Sequence, residues 1–288
     1  MFKLAIASGK GGTGKTFVST NLYHTLVQQG VNVALTDCDA EEPNAVSFFN
    51  VNEIERKSVT QKVPVIDSSI CTYCGKCQEW CMYNAILILK EREKTKIVEE
   101  MCHGCGACVV ACEYGAITEK DMVLGEVIKF SDEDSCKITE GRLKVGVYTP
   151  VPVLKSAIKS TSANLVIFDS PPGTSCPFIH TVNSSDYVVL VTEPTPFGLN
   201  DLKLSVEILR QMDKPFSVII NRAGLGNREV YDFLERENID LIMEIPFDKE
   251  IASVYSKGEL VVLGRTVIAA KFSSLARILI DKTGGKIS

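Results

Sequence analysis

Apolar positions in the first forty residues fall into two short runs separated by a longer periodic stretch. Leu4-Ala5-Ile6-Ala7 and Val31-Asn32-Val33-Ala34-Leu35-Thr36 are strand-sized, while Thr16 to Gln29 carries helical spacing that Gly30 closes. Strand, helix and strand in so short a span predict a βαβ unit and therefore a parallel sheet. From about residue 63 to 120 the pattern breaks off. It returns beyond about residue 145 with Leu165 to Phe168, Tyr187 to Val191, Phe216 to Ile220 and Leu241 to Ile245. Their unbroken apolar character suits strands covered on both faces. Helical patterns over Leu199 to Met212, Asn227 to Glu237 and Thr266 to Ile280 supply the covering layers. The expected fold class is α/β, a doubly wound and mainly parallel sheet with a small inserted α+β domain. Residues 1–62 and 121–288 would form the main domain and 63–120 the insert. Residues 121–145 alternate weakly around Gly125 and Gly141 and fit a hairpin returning to the main sheet.

Composition narrows the functional classes. Of 288 residues, 45% are hydrophobic and 23% charged, as in an ordinary folded protein. Lys plus Arg number 31 against 36 Asp plus Glu, a net charge of −5, so no basic surplus favours nucleic acid. No apolar run approaches the roughly 18 residues of a membrane span. The opening run ends at Ser8-Gly9-Lys10, too short for a signal-peptide core, so a cytoplasmic location is expected. In that compartment eleven cysteines, eight of them between residues 63 and 120, point to metal or redox chemistry rather than disulfides.

Gly9-Lys10-Gly11-Gly12-Thr13-Gly14-Lys15-Thr16 satisfies GxxxxGK(S/T) directly after a strand and before a helix, the context that a phosphate loop requires. Gly11, Gly12, Thr13 and Gly14 would present backbone N–H groups to the phosphates at the positive end of the helix. Lys15 would reach the terminal phosphates, Thr16 would ligate Mg2+, and Phe17 would join the nucleotide-binding set. ATP or ADP with Mg2+ is the expected cofactor.

Lys10 inside the loop is beyond the generic motif. Lys10 to Thr16 resembles the deviant Walker A sequence of the MinD, ParA, Mrp and nitrogenase iron protein superfamily. That resemblance implies an ATP-hydrolysing P-loop protein and an ATP-dependent homodimer in which Lys10 reaches the partner's nucleotide. It also implies that Asp37-Cys38-Asp39-Ala40-Glu41-Glu42-Pro43-Asn44 is the first switch, with Asp39 positioning the attacking water and Asp37 near the metal. Leu165 to Asp169 followed by Ser170-Pro171-Pro172-Gly173 resembles Walker B and the second switch, Asp169 being an outer carboxylate of the Mg2+ site. Asn221, Arg222 and Pro246 match segments that hold adenine. Lys10, Lys15 and Asp39 are the implied catalytic set. Taken singly, acidic residues at strand ends are often only helix caps.

Cys71, Cys74, Cys77 and Cys81 give CxxCxxCxxxC, and Cys102, Cys105, Cys108 and Cys112 repeat it 31 residues later. Tyr83, Ala85 and Ile86 recur as Tyr114, Ala116 and Ile117 at the same offset. The pattern resembles bacterial two-cluster ferredoxins, in which the fourth cysteine of each motif ligates the other cluster. The resemblance implies two 4Fe-4S clusters, one on Cys71, Cys74, Cys77 and Cys112 and one on Cys102, Cys105, Cys108 and Cys81. Met82 and Glu113 replace that family's proline. Two zinc sites are the alternative. Small modules commonly need metal to fold, so clusters would stabilise the insert. Cys176, seven residues after Asp169, falls where nitrogenase-like proteins carry a cluster ligand; a buried thiol is the plainer reading. Cys38 reads as a strand-end residue, and Cys136, His24, His103 and His180 belong to no motif.

Two machines in one chain suggest ATP-coupled electron transfer to a redox or metalloprotein partner first, and an iron-sulfur or metallocentre assembly ATPase second. A positioning protein ranks third, because the chain stops eight residues after Ile280 and the acidic balance disfavours DNA.

Overall fold

In the computed structural model, which describes residues 1–132 and 137–284, the apolar runs resolve into two alternating sets. The elements in chain order are β1 (Phe2–Ala7), α1 (Lys15–Gln28), β2 (Val33–Asp37), β3 (Asn52–Ile66), α2 (Lys76–Glu79), β4 (Ile86–Leu89), β5 (Lys94–Ile97), α3 (Ala107–Ala111), β6 (Ile117–Ser131) and β7 (Lys137–Leu143). There follow α4 (Val151–Ser160), β8 (Leu165–Asp169), α5 (Cys176–Asn183), β9 (Tyr187–Thr192), α6 (Pro196–Gln211), β10 (Phe216–Ala223), α7 (Glu229–Arg236), β11 (Leu241–Pro246), α8 (Lys249–Ser256) and α9 (Thr266–Lys282).

The main sheet runs β11-β10-β9-β1-β8-β2-β7-β6-β3. Strands β11 through β7 pair in parallel, as the βαβ opening predicts. Leu4 and Ile6 of β1, Leu165 and Ile167 of β8, and Val189 and Val191 of β9 join one core with Phe17, Leu22 and Leu26 of α1 and Phe272 and Leu275 of α9. Ala5, Ala7, Val166, Phe168, Val188 and Leu190 face the other core with Leu154 of α4, Phe178 of α5, Leu202 and Val206 of α6 and Val230 and Phe233 of α7. The period of two sends successive side chains to opposite faces, so both faces must be apolar.

Two compact units result. The larger comprises residues 1–57, 127–142 and 153–288, and the smaller 58–126 and 143–152. These limits differ from the expected 62/63 and 120/121 because β3 and β6 are each 15 residues long and continue from one unit into the other. The pattern also hid β3 itself. Asn52–Ile66 begins with seven exposed and mostly polar residues, and it lies at the sheet edge, where charged side chains are the ordinary defence against further pairing. β6 and β7 are neighbours in the main sheet, and Cys136, between them, lies outside the described residues. In the smaller unit β4 and β5 form an antiparallel pair, and Ile86, Ile88 and Ile117 make a core with Cys77 and Cys108. No helix among the described residues is long and apolar enough to cross a membrane.

Candidate functional site

β1 stands where the strand order reverses, between β9 and β8, and the loop that leaves its carboxyl end lies at the switch point where open α/β sheets bind ligands. Gly14, the residue preceding α1, has φ +98°, and a Cβ there would collide with Asn221 Nδ2. That amide donates to Thr13 O at 2.8 Å, so β10 clamps the loop from behind. Glycine is needed both for the left-handed backbone and for the close approach. Gly11 and Gly12 are exposed, and Thr13 is buried with no hydrogen-bond partner for its hydroxyl among the described residues.

Lys15 is buried, its Nζ 3.0 Å from Ser8 Oγ and 3.4 Å from Lys10 O. Burial lowers its pKa, against the opposing pull of Asp169 and Asp39. Lys10 pairs instead with Glu193 of the same chain. Glu193, just beyond β9, also receives Arg222 Nη1 at 2.8 Å, while Arg222 Nη2 donates to Gly12 O at 3.1 Å. Burial pushes the Glu193 carboxyl up, but Lys10 and Arg222 together outweigh it and hold it below its ordinary value. No motif marked Glu193; its one available signal was an acid at a strand's carboxyl end.

Two aspartates of the motifs, Asp39 and Asp169, act on Lys15, and the third, Asp37, neighbours Asp169. Asp37 and Asp169 are direct neighbours across β2 and β8, and Glu140 of β7 lies across from Asp37 on the other side. Asp37 is fully buried and accepts backbone N–H groups from Asp39 at 3.0 Å, Asn44 at 2.8 Å and Ala45 at 2.9 Å, so it organises the loop that carries Asp39. Burial and the Asp169 charge raise it well above its ordinary value. Burial also raises Asp169, to about 6, against the opposing effects of the Thr16 hydroxyl and Lys15. Its Oδ1 has no hydrogen-bond partner among the described residues. A buried acid with an unmet oxygen beside a second acid and a threonine hydroxyl fits a divalent cation, whose charge would relieve both carboxyls. Asp39 is half-buried, and burial raises it less.

Beside the loop, a cavity of about 180 Å3 is lined by Gly12, Gly14, Phe17, Asn221, Arg222 and Pro246. Six of the ten positions expected to touch nucleotide thus line it, and Gly11, Thr13, Lys15 and Thr16 do not. Ile251 and Tyr255 of α8, which no motif indicated, complete its apolar wall.

In the smaller unit the eight motif cysteines line two cavities. One is walled by Cys71, Cys74, Cys77 and Cys112, the other by Cys102, Cys105, Cys108 and Cys81. Among the described residues no three or more His, Cys, Asp or Glu side chains are arranged to hold a single metal ion. Four thiols to a cavity are a donor set that suits an iron-sulfur cubane. Burial raises the Cys77, Cys102 and Cys108 thiols, the last to about 11, so a cationic centre would be needed to hold them as thiolates. Backbone N–H groups of Tyr73, Ala85 and Gly104 point at the sulfurs of Cys71, Cys81 and Cys102 at 3.4, 3.3 and 3.4 Å. His103 stacks on Tyr83 with ring centroids 3.8 Å apart. Cys38 is buried, whereas Cys176 is exposed at the start of α5.

A glycine loop closed by a buried lysine, at the switch point of a doubly wound sheet, defines a P-loop nucleotide-binding protein. The chain belongs to the CobQ/CobB/MinD/ParA nucleotide-binding family, whose domain model matches residues 4–261. It is 32% identical to an uncharacterised protein of Methanocaldococcus jannaschii over 87% of this chain and 86% of that one. It is 25% identical to an iron-sulfur cluster carrier protein of Pyrococcus horikoshii over 98% of this chain and 86% of the carrier. Among solved structures, MinD of Pyrococcus horikoshii in complex with Mg-ADP superposes with a TM-score of 0.61 at 19% identity, covering 99% of this chain and 98% of that one.

Proposed function

We propose that the chain is an ATPase that assembles or carries iron-sulfur centres for a client metalloprotein, with two 4Fe-4S clusters bound in its thiol-lined cavities. The observation that carries the cluster-binding part of the reading is the crossing in each cavity: Cys112 stands with the first motif and Cys81 with the second, in the same chain as a phosphate loop. Clusters, when bound, supply one-electron capacity together with iron and sulfide that can be passed on. Lys15 and the loop amides would hold the phosphates, Thr16 and Asp169 would serve Mg2+, and Asp39 would orient the attacking water. Lys10 would leave Glu193 to meet the nucleotide of a second copy, making an ATP-dependent homodimer. Likeness to a named iron-sulfur carrier over nearly the whole chain puts carriage ahead of electron transfer, which the motifs alone ranked first. The crossed cysteine sets keep electron transfer as the second reading.

The test loads the protein anaerobically with labelled iron and sulfide and adds a cluster-free ferredoxin as acceptor. Label should move to the acceptor faster with Mg-ATP than with ADP, and Lys15→Ala should abolish the difference. If label stays while electrons reach a redox dye at an ATP-dependent rate, the electron-transfer reading replaces carriage. Stoichiometric zinc in place of iron would sink both.

A further inference from the structure

Lys10 is held at two points that belong to different parts of the larger unit. Its ammonium meets Glu193, just beyond β9. Its carbonyl accepts the Ser8 hydroxyl at 2.6 Å and Lys15 Nζ at 3.4 Å. The backbone of Lys10 is therefore tied to Lys15, and its side chain is the part left to change partner. Glu193 is itself fixed in place. It is buried, and the backbone N–H of Thr195 donates to its carbonyl at 2.8 Å. A Cβ on Gly198 of α6 would collide with that same carbonyl, so the helix packs directly against it.

Among the described residues two further donors hold the Glu193 carboxylate. Oε1, the oxygen that meets Lys10, also accepts the Thr195 hydroxyl at 3.4 Å, and Oε2 accepts Arg222 Nη1 at 2.8 Å. Stripping a buried acid of its cation is strongly destabilising, because an uncompensated charge is left inside the fold. Glu193 would escape that cost on losing Lys10, since Arg222 would remain. Arg222 also donates to Gly12 O and lines the base-side cavity, so the second cation on Glu193 touches the nucleotide site as well.

We propose that Glu193 is a positioning residue of the dimer step: it holds the Lys10 side chain in the single chain and yields it once phosphates occupy the loop. The inference rests on the nucleotide and dimer reading above. Phosphates would draw Lys15 Nζ away from Lys10 O, and the nucleotide of a second copy would offer the Lys10 ammonium a more highly charged acceptor than one carboxylate. Arg222 and Thr195 would stay on Glu193. The Lys10 contact is then made in the monomer and absent from the dimer, so it opposes assembly until nucleotide supplies the replacement.

The test follows dimerisation by sedimentation of the whole, iron-loaded Asp39→Ala chain in saturating Mg-ATP, with and without Glu193→Gln. Removing a contact that only the monomer makes should lower the protein concentration at half-assembly about fivefold, the scale of one partly exposed ion pair. Glu193→Asp keeps a charge for Arg222, and with it the fold, while drawing the carboxyl back by one methylene; it should move the concentration the same way by less. A glutamate that only supported the fold would leave that concentration unchanged or raise it, and such a result in either folded variant would overturn the inference while leaving the dimer intact. An Asp39→Ala chain that binds ATP yet stays monomeric would instead bring down the dimer reading, and this inference with it.

Discussion

One oxygen of Asp169 lacks a partner among the described residues, and that single atom links the local chemistry of the site to the stability of the fold. The acid titrates at about 6 in the folded chain against 3.8 ordinarily, chiefly because it is buried. Between those values the folded state keeps a proton that the unfolded chain has released. The stability from the neutral acid is therefore complete below 3.8 and is lost as pH rises through about 6. From this group the metal-free protein should lose on the order of 1 kcal/mol between about pH 5 and pH 7. Glu193, held below its ordinary value, loses its contribution only at lower pH and does not confuse that window. Urea titrations should show a smaller fall in Asp169→Asn than in the unsubstituted chain, because Asp37 and Asp39, also raised by burial, remain; equal profiles would mean that Asp169 is not the acid concerned. Glu193→Gln should cost about 1–3 kcal/mol at pH 7, because Lys10 and Arg222 would lose a charged acceptor that is only 10% exposed. An unchanged urea midpoint would show that the two cations find equivalent partners.

At the scale of elements, the short helices α2 and α3 each carry the middle of a cysteine motif, and the last cysteine of each motif lies just beyond its helix. Cys112 follows α3 yet lines the cavity of Cys71, Cys74 and Cys77. Cys112→Ser should therefore remove the cluster served by the first motif. Iron should fall from about eight to about four per chain, the difference of one cubane. Adding Cys74→Ser should cost no further iron, whereas adding Cys105→Ser should remove the rest. The opposite pattern, with Cys112→Ser and Cys105→Ser non-additive, would mean that each motif closes its own site. Circular dichroism of these variants should show loss of order confined to about the size of the smaller unit, since small modules depend on their metal for folding.

For the whole molecule, the consequential contact is Lys10 on Glu193 within one chain. Driving a two-state assembly from about 1:99 to 99:1 takes roughly 5.5 kcal/mol of differential affinity, more than one lysine contact per subunit supplies. Mg2+ and the loops around Asp39 and Asp169 must contribute to an ATP-dependent dimer. Sedimentation of Asp39→Ala with Mg-ATP should show a persistent dimer with hydrolysis reduced at least about a hundredfold, the usual scale for a lost proton-handling group. Lys10→Ala should remain monomeric under the same conditions. A monomeric Asp39→Ala protein that still binds ATP would refute the dimer switch, and wild-type turnover in that variant would shift the water-positioning role to Asp37.

Much of this architecture is legible in the chain because it depends on local spacing. The loop from Gly9 to Thr16, the runs of β1, β2, β8 and β9, and the doubled CxxCxxCxxxC motif each bring their defining residues within a few positions of one another, where backbone geometry decides the outcome. β3 escaped that reading because an edge strand need not be apolar, and α8 because its apolar stripe spans only eight residues. What the tertiary structure alone decided are the meetings of distant residues. Glu193 captures Lys10 from 183 positions away, Asn221 braces Thr13 across 208, and Tyr255 packs on Phe17 and Phe48 from α8. Local spacing along a chain carries no information about such pairs. They are selected by the parallel sheet, which aligns the carboxyl ends of β1, β2, β8, β9 and β10, and by burial, which makes each polar group brought there find a partner or hold its proton.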